Sequence, residues 1–444
     1  MDLPVYSSSQ PSLCALPVEL IQAILCNLPD LESLKSAQLT HSALYFAFIG
    51  AESHILKQIL AQKIPPALFP DAFFAFDAST VEGVWTQDEV HSIIYRHRTR
   101  AISSSFRLNP QSAFKITKLY RWVRYFTRHF LRQAISDPMQ GRTHPPMPLY
   151  QPTSSEKCRV ARALYRFETH RHLFRMREPY ANYSKCSPDF LISDQWGYYF
   201  RHFPAWELEQ ILSVSEYLFR SVAICLRPFA ENRTWTTEGI WYYSSNAYLM
   251  TDPSPVGTLL CHGLRYIGDL VTAQTFDQHN LLANELFGKP FMSSLPDIFR
   301  AIWESQNVFH AYPSLTCEVE GQTIDWQDTG YVGSDPGPAK AWHTIMAPTN
   351  LNGGVSRQVG HHSMCELRRQ GYVFWDQVRI KEWGLSSNTI DIPLYWPNWQ
   401  QELHLRTASA LCRRPHLYYN AGVGSWWYPR EIAHLPVVRL PPGE

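Results

Sequence analysis

Residues 16–34 read LPVELIQAILCNLPDLESL, and this stretch decides how the amino-terminal part of the chain folds. Large aliphatic residues recur at every fourth position, and two neighbours widen the stripe: Leu16, Leu20, Ile24 and Leu28, with Ile21 and Leu25. This spacing predicts an amphipathic helix whose apolar side chains share one face. Pro17 suits the first turn of that helix. Pro29 predicts its end, and Asp30 is a good N-cap for a second helix.

Two further short helices are predicted directly after the first one. Leu31, Leu34 and Leu39 mark the second helix, and a third extends roughly from His41 to Phe48. Three short helices bury little surface on folding, so something else must cover part of their apolar side chains. Two interpretations stay open: this surface packs on the rest of the chain, or it docks another protein.

The order of residues from Leu16 to Leu34 resembles an F-box. The pattern consists of LPVEL at 16–20, Ile24-Leu25, Leu28, Pro29-Asp30-Leu31 and Leu34. The resemblance implies a three-helix unit that binds a Skp-family adaptor, which links it to a cullin-based ubiquitin ligase. The adaptor-binding residues that it implies are Leu16, Pro17, Leu20, Ile24, Leu25, Leu28, Leu31 and Leu34. Many F-boxes carry Cys-x-x-Trp in the third helix, whereas this chain has THSALY at 40–45, which implies weaker or altered adaptor binding.

Two later stretches are similar to a large group of filamentous-fungal F-box proteins. The first contains Ile55-Leu56, Ile59-Leu60, Ile64-Pro65-Pro66 and Asp71-Ala72, and continues with WTQDEV at 85–90. The second is GYVFWD at 371–376, followed by Arg379-Ile380 and Trp383-Gly384. The resemblance then spans most of the chain, and it names no target.

The composition of the 444 residues favours packed domains without a global electrostatic attraction to a partner. Hydrophobic residues make up 45%, charged residues 18%, and the formal net charge is +1. These values exclude a coiled-coil rod and a highly charged disordered chain, and they give no overall attraction to nucleic acid or membranes. The balance is uneven, because residues 1–177 carry 21 Lys/Arg and 13 Asp/Glu, whereas residues 178–444 carry 19 and 26.

The cysteines and the amino-terminal sequence indicate the compartment. Nine cysteines lie singly along the chain without a CxxC pair, which predicts reduced thiols. The first 34 residues contain no Lys or Arg, and Pro17 and Glu19 interrupt the apolar stretch, so we expect no secretory signal. No uncharged apolar run reaches the ~18 residues that a membrane span needs. These features predict a cytoplasmic or nuclear protein with no membrane contact.

Helical periodicity dominates the long segments of the chain. It predicts a mainly α protein, in which a three-helix F-box unit precedes a larger, predominantly helical domain with long irregular loops and little β structure. Helices are predicted from Ser154 to Arg177, from Trp206 to Leu226 with Pro228 as its end signal, and from Leu281 to Ser305, and a strand is predicted at 371–385. The predicted parts are a flexible tail (1–12), an F-box-like unit (13–60), a helical linker region with a basic helix (61–135), a proline-rich connection (136–155) and a carboxy-terminal target-binding domain (156–444).

The stretch between Glu89 and Asp137 contains no acidic residue and ten Lys/Arg. On a helix, one face is apolar, with Ile116, Leu119, Val123, Phe126 and Phe130, and the other is basic, with Lys118, Arg121, Arg124, Arg128 and Arg132. Arginines in such a row bind carboxylate or phosphate groups. Three interpretations stay open: a solvated or internally paired face, a site for an acidic protein target, and a nucleic-acid site, which no recognised module supports. A target site would use Arg121, Arg124, Arg128 and Arg132.

Motifs of catalysis and of cofactor binding are absent from the sequence. There is no HExxH zinc site, and the GVSR stretch at 354–357 lacks the second glycine of a nucleophile elbow. The stretch at 422–424 is a bare GxG without the third glycine of a dinucleotide site. His361, His362 and Cys365 form the best metal-like cluster, but a second pair of ligands is missing. We therefore predict no cofactor, no metal and no catalytic residue.

The sequence favours a non-catalytic substrate receptor of a cullin-type (SCF) ubiquitin ligase. The F-box would bind the adaptor, and the carboxy-terminal part would bind an unknown protein target and hold its lysines near the charged ubiquitin-conjugating enzyme. Two alternatives stay open: an adaptor-bound F-box protein that acts outside a ligase, and an enzyme with a pocket in the aromatic-rich second part. An exposed apolar face on residues 16–48 favours the receptor, whereas converging polar groups with perturbed carboxylates in residues 180–444 favour the enzyme.

Overall fold

The structure is a computed structural model, and it describes most of the chain up to residue 284 and two later segments. The described residues are 13, 16–80, 86–99, 107–136, 151–174, 192–231, 260, 262–284, 335–346 and 367–383. They are predominantly helical, and no strand occurs among them. The predicted mainly α fold with little β structure is therefore confirmed.

The helices are short in the first part of the chain, and three of the four in the middle are long. The first part contains α1 Val18–Cys26, α2 Leu31–Thr40, α3 Ser42–Gly50, α4 Glu52–Lys63, α5 Phe69–Ser79 and α6 Gln87–Thr99. The middle contains α7 Pro110–Ser136, α8 Ser154–Leu173, α9 Ile192–Tyr198 and α10 Ala205–Glu231. The later helices are α11 Gly263–Thr272, α12 Phe276–Asn284, α13 Gly337–Met346 and α14 Gln377–Glu382.

The chain divides into two compact units. Unit 1 comprises Met1–Phe76 and Arg96–Arg121, and unit 2 comprises Asp77–Tyr95 and Trp122–Glu444. The division between the units therefore falls within α5, α6 and α7. The domain boundaries drawn from the sequence at residues 60, 135 and 155 stay predictions.

Side-chain caps fix the first helices near the positions that the sequence predicts. Pro17 has a φ of −51° and precedes the first helical residue of α1. The Asp30 carboxylate accepts a 2.7 Å hydrogen bond from the Ser33 N–H and caps α2, as predicted. The Nδ1 atom of His41 accepts a 3.0 Å hydrogen bond from the Ala43 N–H and caps α3. The two side-chain caps satisfy N–H groups at the starts of α2 and α3, whereas α1 begins after Pro17 without a side-chain cap.

The core of unit 1 is apolar. The buried side chains of α1 to α4 include Ile21, Leu25, Leu31, Leu34, Leu44, Phe48, Ile55, Leu56, Ile59 and Leu60. Two side-chain amides tie α1 to its neighbours, because Gln22 donates to the Ala47 carbonyl at 3.0 Å and Gln62 donates to the Cys26 carbonyl at 2.8 Å. Packing and these two bonds together determine which side of α1 faces outward.

The core of unit 2 is built on α8 and α10, which pack against each other. A capping box starts α8: the Thr153 hydroxyl accepts from the Glu156 N–H at 3.2 Å, and the Glu156 carboxylate accepts from the Thr153 N–H at 2.9 Å. This confirms the predicted start near Ser154. The helix ends at Leu173 and not at Arg177, because Phe174 leaves the helical conformation, with φ −121° and ψ 23°.

The predicted helix end at Pro228 is wrong, because α10 continues to Glu231. A proline lacks one N–H donor, and at Pro228 the helix has less than one further turn to run, so a single missing hydrogen bond does not stop it. The helix predicted at 281–305 and the proline-rich connection at 136–155 lie largely outside the described residues.

The strand predicted at 371–385 is also wrong over the residues that the structure describes. Residues 371–375 form turns, and α14 follows. Gly371 has a φ of +66°, a left-handed conformation that glycine adopts readily and that breaks an extended strand. The four residues after it, from Tyr372 to Trp375, are all fully buried. Their aromatic and β-branched character therefore reflects burial in a turn and not a β conformation.

Candidate functional site

The first candidate surface is the outward side of α1. Four large aliphatic side chains are exposed there: Leu16 at 36%, Val18 at 47%, Leu20 at 51% and Ile24 at 39%. We call these four residues, together with the exposed Pro17, the α1 face. Large apolar side chains that remain exposed on consecutive turns are typical of protein docking sites.

A second apolar group lies on α2 and α3 of the same unit. It contains Leu39, Tyr45, Phe46 and Ile49, and Phe46 is 69% exposed. The rings of Tyr45 and Phe46 meet edge to face at 5.7 Å. Phe46 lies within the third helix that the sequence predicts, but it is not among the predicted adaptor-binding residues. A sequence signal for this exposed group is that α3, SALYFAFIG, is apolar on all sides, so a small unit cannot bury all of it.

The structure separates the eight predicted adaptor-binding residues by their exposure. Those turned outward are Leu16, Pro17, Leu20 and Ile24, and Leu28 is half-buried. Those in the core are Leu25, Leu31 and Leu34, at 1%, 4% and 2% exposure. In the isolated chain their own unit covers these three, and direct adaptor contact by them stays an untested prediction. They hold the α1 face in place, and adaptor binding by the exposed members stays a prediction.

The second candidate surface is the basic side of α7. The opposite side of this helix is buried, with Ile116, Val123, Phe126 and Phe130 at 2% exposure or less, and Leu119 is half-buried. The basic side chains Lys118, Arg121, Arg124, Arg128 and Arg132 are all exposed. The predicted amphipathic helix is therefore present, and its basic side faces solvent in the described part of the chain.

Unit 2 contains buried ion pairs that the sequence analysis missed. At the start of α8, the Glu156 carboxylate has no exposed surface and accepts two hydrogen bonds of 2.8 Å from the Arg379 guanidinium. It also accepts the Asp376 N–H at 3.0 Å. The partners are more than 200 residues apart, so no local pattern reveals the pair.

Arg159, on the next turn of α8, bridges two carboxylates. Its guanidinium lies 2.7 Å from Asp376 and 3.2 Å from Asp335. Burial raises the pKa of Asp376, but the hydrogen bonds that it shares with Asp335 and Thr153 and the Arg159 charge outweigh this effect and lower it to about 2. Asp335 also accepts the Gln377 N–H at 3.2 Å, so the same carboxylate holds the start of α14. The cluster joins α8 to two late segments of the chain.

A third buried charge lies on the segment before α14. Arg368 has no exposed side-chain surface, and its guanidinium lies 2.6 Å from Glu209 and 3.3 Å from Glu216, both on α10. Burial raises the pKa of the neighbouring Tyr372 hydroxyl, and the Glu209 charge raises it further. The phenol therefore stays neutral at physiological pH, and the Arg368 guanidinium pairs with the two carboxylates of α10.

The last turns of α8 hold two further buried titratable groups. Glu168 accepts 2.7 Å and 2.9 Å hydrogen bonds from Arg171 and from the Leu264 N–H. Burial raises the pKa of Glu168, but the Arg171 charge and the hydrogen bonds outweigh it and hold the pKa well below its usual range. Burial lowers the pKa of His170 to about 4, and its Nε2 atom lies 2.8 Å from the Gln195 amide oxygen.

The described residues contain neither a cluster of metal-binding side chains nor a membrane-spanning helix. Where the structure describes the chain, no three His, Cys, Asp or Glu side chains lie close enough together to hold a metal ion. None of the described helices is both long enough and apolar enough to cross a membrane. The cluster of His361, His362 and Cys365 and the glycine motifs at 354–357 and 422–424 lie outside the described residues.

Comparison of the chain with protein-family models, with curated proteins and with solved structures gives no match. The F-box resemblance therefore stays a prediction that rests on residues 16–34. The described residues thus offer two exposed surfaces, the α1 face and the basic side of α7, and the buried ionic groups of unit 2.

Proposed function

We propose that this chain is the substrate-receptor subunit of a cullin-type (SCF) ubiquitin ligase and that its α1 face binds a Skp-family adaptor. One observation carries the proposal: Leu16, Leu20 and Ile24, which belong to the F-box-like pattern, are exposed although their unit has a closely packed core. Apolar surface left in water forgoes about 25 cal/mol per Å². A partner that covers these side chains recovers that free energy.

The α1 face is held in place before any partner arrives. Leu25 packs beneath it at 1% exposure, and the 3.0 Å hydrogen bond from Gln22 to the Ala47 carbonyl ties α1 to α3. Binding of a partner therefore costs less conformational entropy in this chain than binding through a disordered segment would. Completing the burial of half-exposed Leu20 and Ile24 contributes on the order of 1 kcal/mol each. The exposed apolar group on α2 and α3 can extend the contact.

In this proposal the chain catalyses no reaction itself. The adaptor joins it to a cullin, unit 2 holds an unknown protein target, and the target lysines gain a high local concentration at the charged ubiquitin-conjugating enzyme. These partners operate in the cytoplasm and the nucleus, which is where the proposal locates the chain. No membrane and no nucleic acid takes part.

The enzyme alternative draws less support from the described residues. Among the carboxylates and histidines of unit 2 with strongly shifted pKa values, Asp376 is half-buried and bound by Arg159, and Glu168 and His170 are fully buried and hydrogen-bonded to neighbours. A general acid or base has to reach a substrate, which groups enclosed in this way do not. The other alternative, an adaptor-bound protein outside any ligase, uses the same α1 face and lacks only the cullin.

An aspartate at position 24 tests the adaptor assignment. Ile24→Asp places an unpaired charge in an apolar contact, so the affinity for a purified Skp-family adaptor should fall on the order of a hundredfold or more. Titration calorimetry with the full chain measures this change. Leu281→Asp is the matched control, because Leu281 is 63% exposed on α12 of unit 2. The control should bind the adaptor like the wild type.

Two results would overturn the proposal. One is a wild-type chain that does not bind the adaptor at all. The other is an Ile24→Asp variant that keeps both the melting temperature and the adaptor affinity of the wild type. Reconstitution with adaptor, cullin and ubiquitin-conjugating enzyme then separates the two F-box interpretations: ubiquitin transfer supports the ligase receptor, and adaptor binding without cullin recruitment supports the alternative.

A further inference from the structure

We infer that Arg124, Arg128 and Arg132, which we call the arginine row, form a docking surface for an acidic helix of a partner protein. The inference rests on the proposed function in one respect, since it identifies that partner with the ubiquitination target. The row belongs to α7 and lies within unit 2. It is far in sequence from the α1 face, so the two surfaces can be tested separately.

The geometry of α7 makes the row regular and accessible. Each arginine lies four positions after the previous one, and a helix rises about 1.5 Å per residue, so the side chains start about 6 Å apart along the axis. Val123, Phe126 and Phe130 anchor the opposite side of the helix at 2% exposure or less. All three arginines are exposed, and Lys118 and Arg121 extend the basic side toward the helix start.

The stability of α7 does not account for the row. Like charges at i and i+4 destabilise a helix by about 0.2–0.5 kcal/mol per pair. The helix macrodipole favours cations only in the last turn, which Arg124 and Arg128 precede. The sequence has no acidic residue between Glu89 and Asp137 to relieve the repulsion. Within the residues that the structure describes, the row forms no ion pair, so a partner is the natural source of the complementary charge.

An acidic helix fits the row better than other anionic partners. Glutamates at every fourth position of a helix also repeat about every 6 Å, so they meet the arginines step for step. Guanidinium groups bind carboxylates with two parallel hydrogen bonds, which adds geometric selectivity to the charge attraction. Nucleic acid is disfavoured, because no recognised nucleic-acid-binding motif accompanies the row in the sequence and the whole chain carries a net charge of only +1.

The test uses the full chain and a defined probe. The probe is a fluorescent alanine-based helical peptide of about 20 residues with Glu at every fourth position, and its control carries Gln instead of Glu. In fluorescence anisotropy, we expect the Glu peptide to bind at least about tenfold more tightly than the Gln peptide, with an affinity that falls as salt is added. The triple variant Arg124→Gln, Arg128→Gln, Arg132→Gln should lose this preference.

A second triple variant controls for net charge. Arg265→Gln, Lys340→Gln, Lys381→Gln removes three exposed cations from elsewhere in unit 2 and should keep the preference for the Glu peptide. Equal losses in both triple variants would overturn the inference, because the peptide would then sense net charge alone. The inference would also be overturned if a DNA duplex bound more tightly than the Glu peptide and lost that binding in the row variant. An unfolding temperature several degrees lower in the row variant would overturn it as well, because it would show that the row is paired inside the fold. Adaptor affinity should be unchanged in the row variant, so failure here leaves the α1 face untouched.

Discussion

The start of α1 in unit 1 and the start of α8 in unit 2 differ in which side chains lie in water. At α1, Leu20 and Ile24 are 51% and 39% exposed. At α8, Glu156 has no exposed surface, and its partner Arg379 is 6% exposed. Apolar groups that remain outside gain free energy only when another surface covers them, whereas charges inside depend on partners that the chain itself supplies. Substitutions at the first site should therefore change binding, and those at the second should change folding.

The largest expected effect is the loss of a buried cation. Arg368→Met leaves the Glu209 and Glu216 carboxylates buried without their guanidinium partner, so the free energy of unfolding should fall by about 3–5 kcal/mol. Urea denaturation measures the change. Arg265→Met is the matched control, because Arg265 is exposed, and it should change stability by at most about 0.5 kcal/mol. A loss below about 1 kcal/mol for Arg368→Met would contradict the role assigned to the buried pairs.

The second effect separates the two sides of α1. Leu25→Ala opens a cavity in the core of unit 1 and should cost about 3 kcal/mol of stability. Leu20→Ala, five residues earlier on the outward side of α1, should cost less than about 1 kcal/mol and lower adaptor affinity instead. Thermal unfolding and adaptor titration of both variants measure the contrast. Equal destabilisation by the two substitutions would remove the distinction between core and face.

The third effect is a pH dependence from His170. Its folded-state pKa of about 4 lies below the ~6.5 of an unfolded chain, so the unfolded state takes up a proton first as pH falls. The stabilisation is complete above pH ~6.5 and is lost, by up to about 1.4 kcal/mol per pH unit, as pH falls toward 4. His170→Phe removes the titrating group beside Phe174 and Phe200. The difference in urea stability between wild type and variant should be constant above pH ~7 and change below it; a constant difference throughout would contradict the prediction.

The smallest effect concerns a helix cap. Asp30→Ala removes the acceptor of the 2.7 Å hydrogen bond from the Ser33 N–H and should cost about 1 kcal/mol. Glu32→Ala, two residues further along the exposed side of α2, should change stability by less than about 0.5 kcal/mol. Circular dichroism melts of the two variants give the comparison. The adaptor affinity of both should stay close to that of the wild type if the cap acts only on α2.

Local periodicity was sufficient to predict α1 to α3, the start of α8 and the basic side of α7, but not the side of α1 that faces inward. Leu20 and Ile24 form one line along that helix, and Ile21 and Leu25 form the adjacent line. Both lines are equally apolar, so their spacing cannot rank them. The choice depends on contacts with α3, such as the Gln22 bond to Ala47, whose partners are 25 residues apart.

The buried charges of unit 2 were beyond prediction for a related reason. Arg368 and Glu209 are 159 residues apart, and their side chains are of types usually found at the surface. The strand prediction at 371–385 was wrong because residues buried in a turn have the same apolar composition as a strand. Only long-range packing distinguishes these cases, and a single sequence does not display it.

The Glu156–Arg379 pair also has a consequence for synthesis on the ribosome. The two residues are separated by 223 positions, so the carboxylate emerges long before the guanidinium that satisfies it. At about 5–20 residues per second, the ribosome needs roughly 10–45 s to add the intervening chain. During that interval the start of α8 cannot close over an unpaired charge, so we expect the hydrophobic surface between α8 and α10 to remain accessible to chaperones until the segment with α14 has been made.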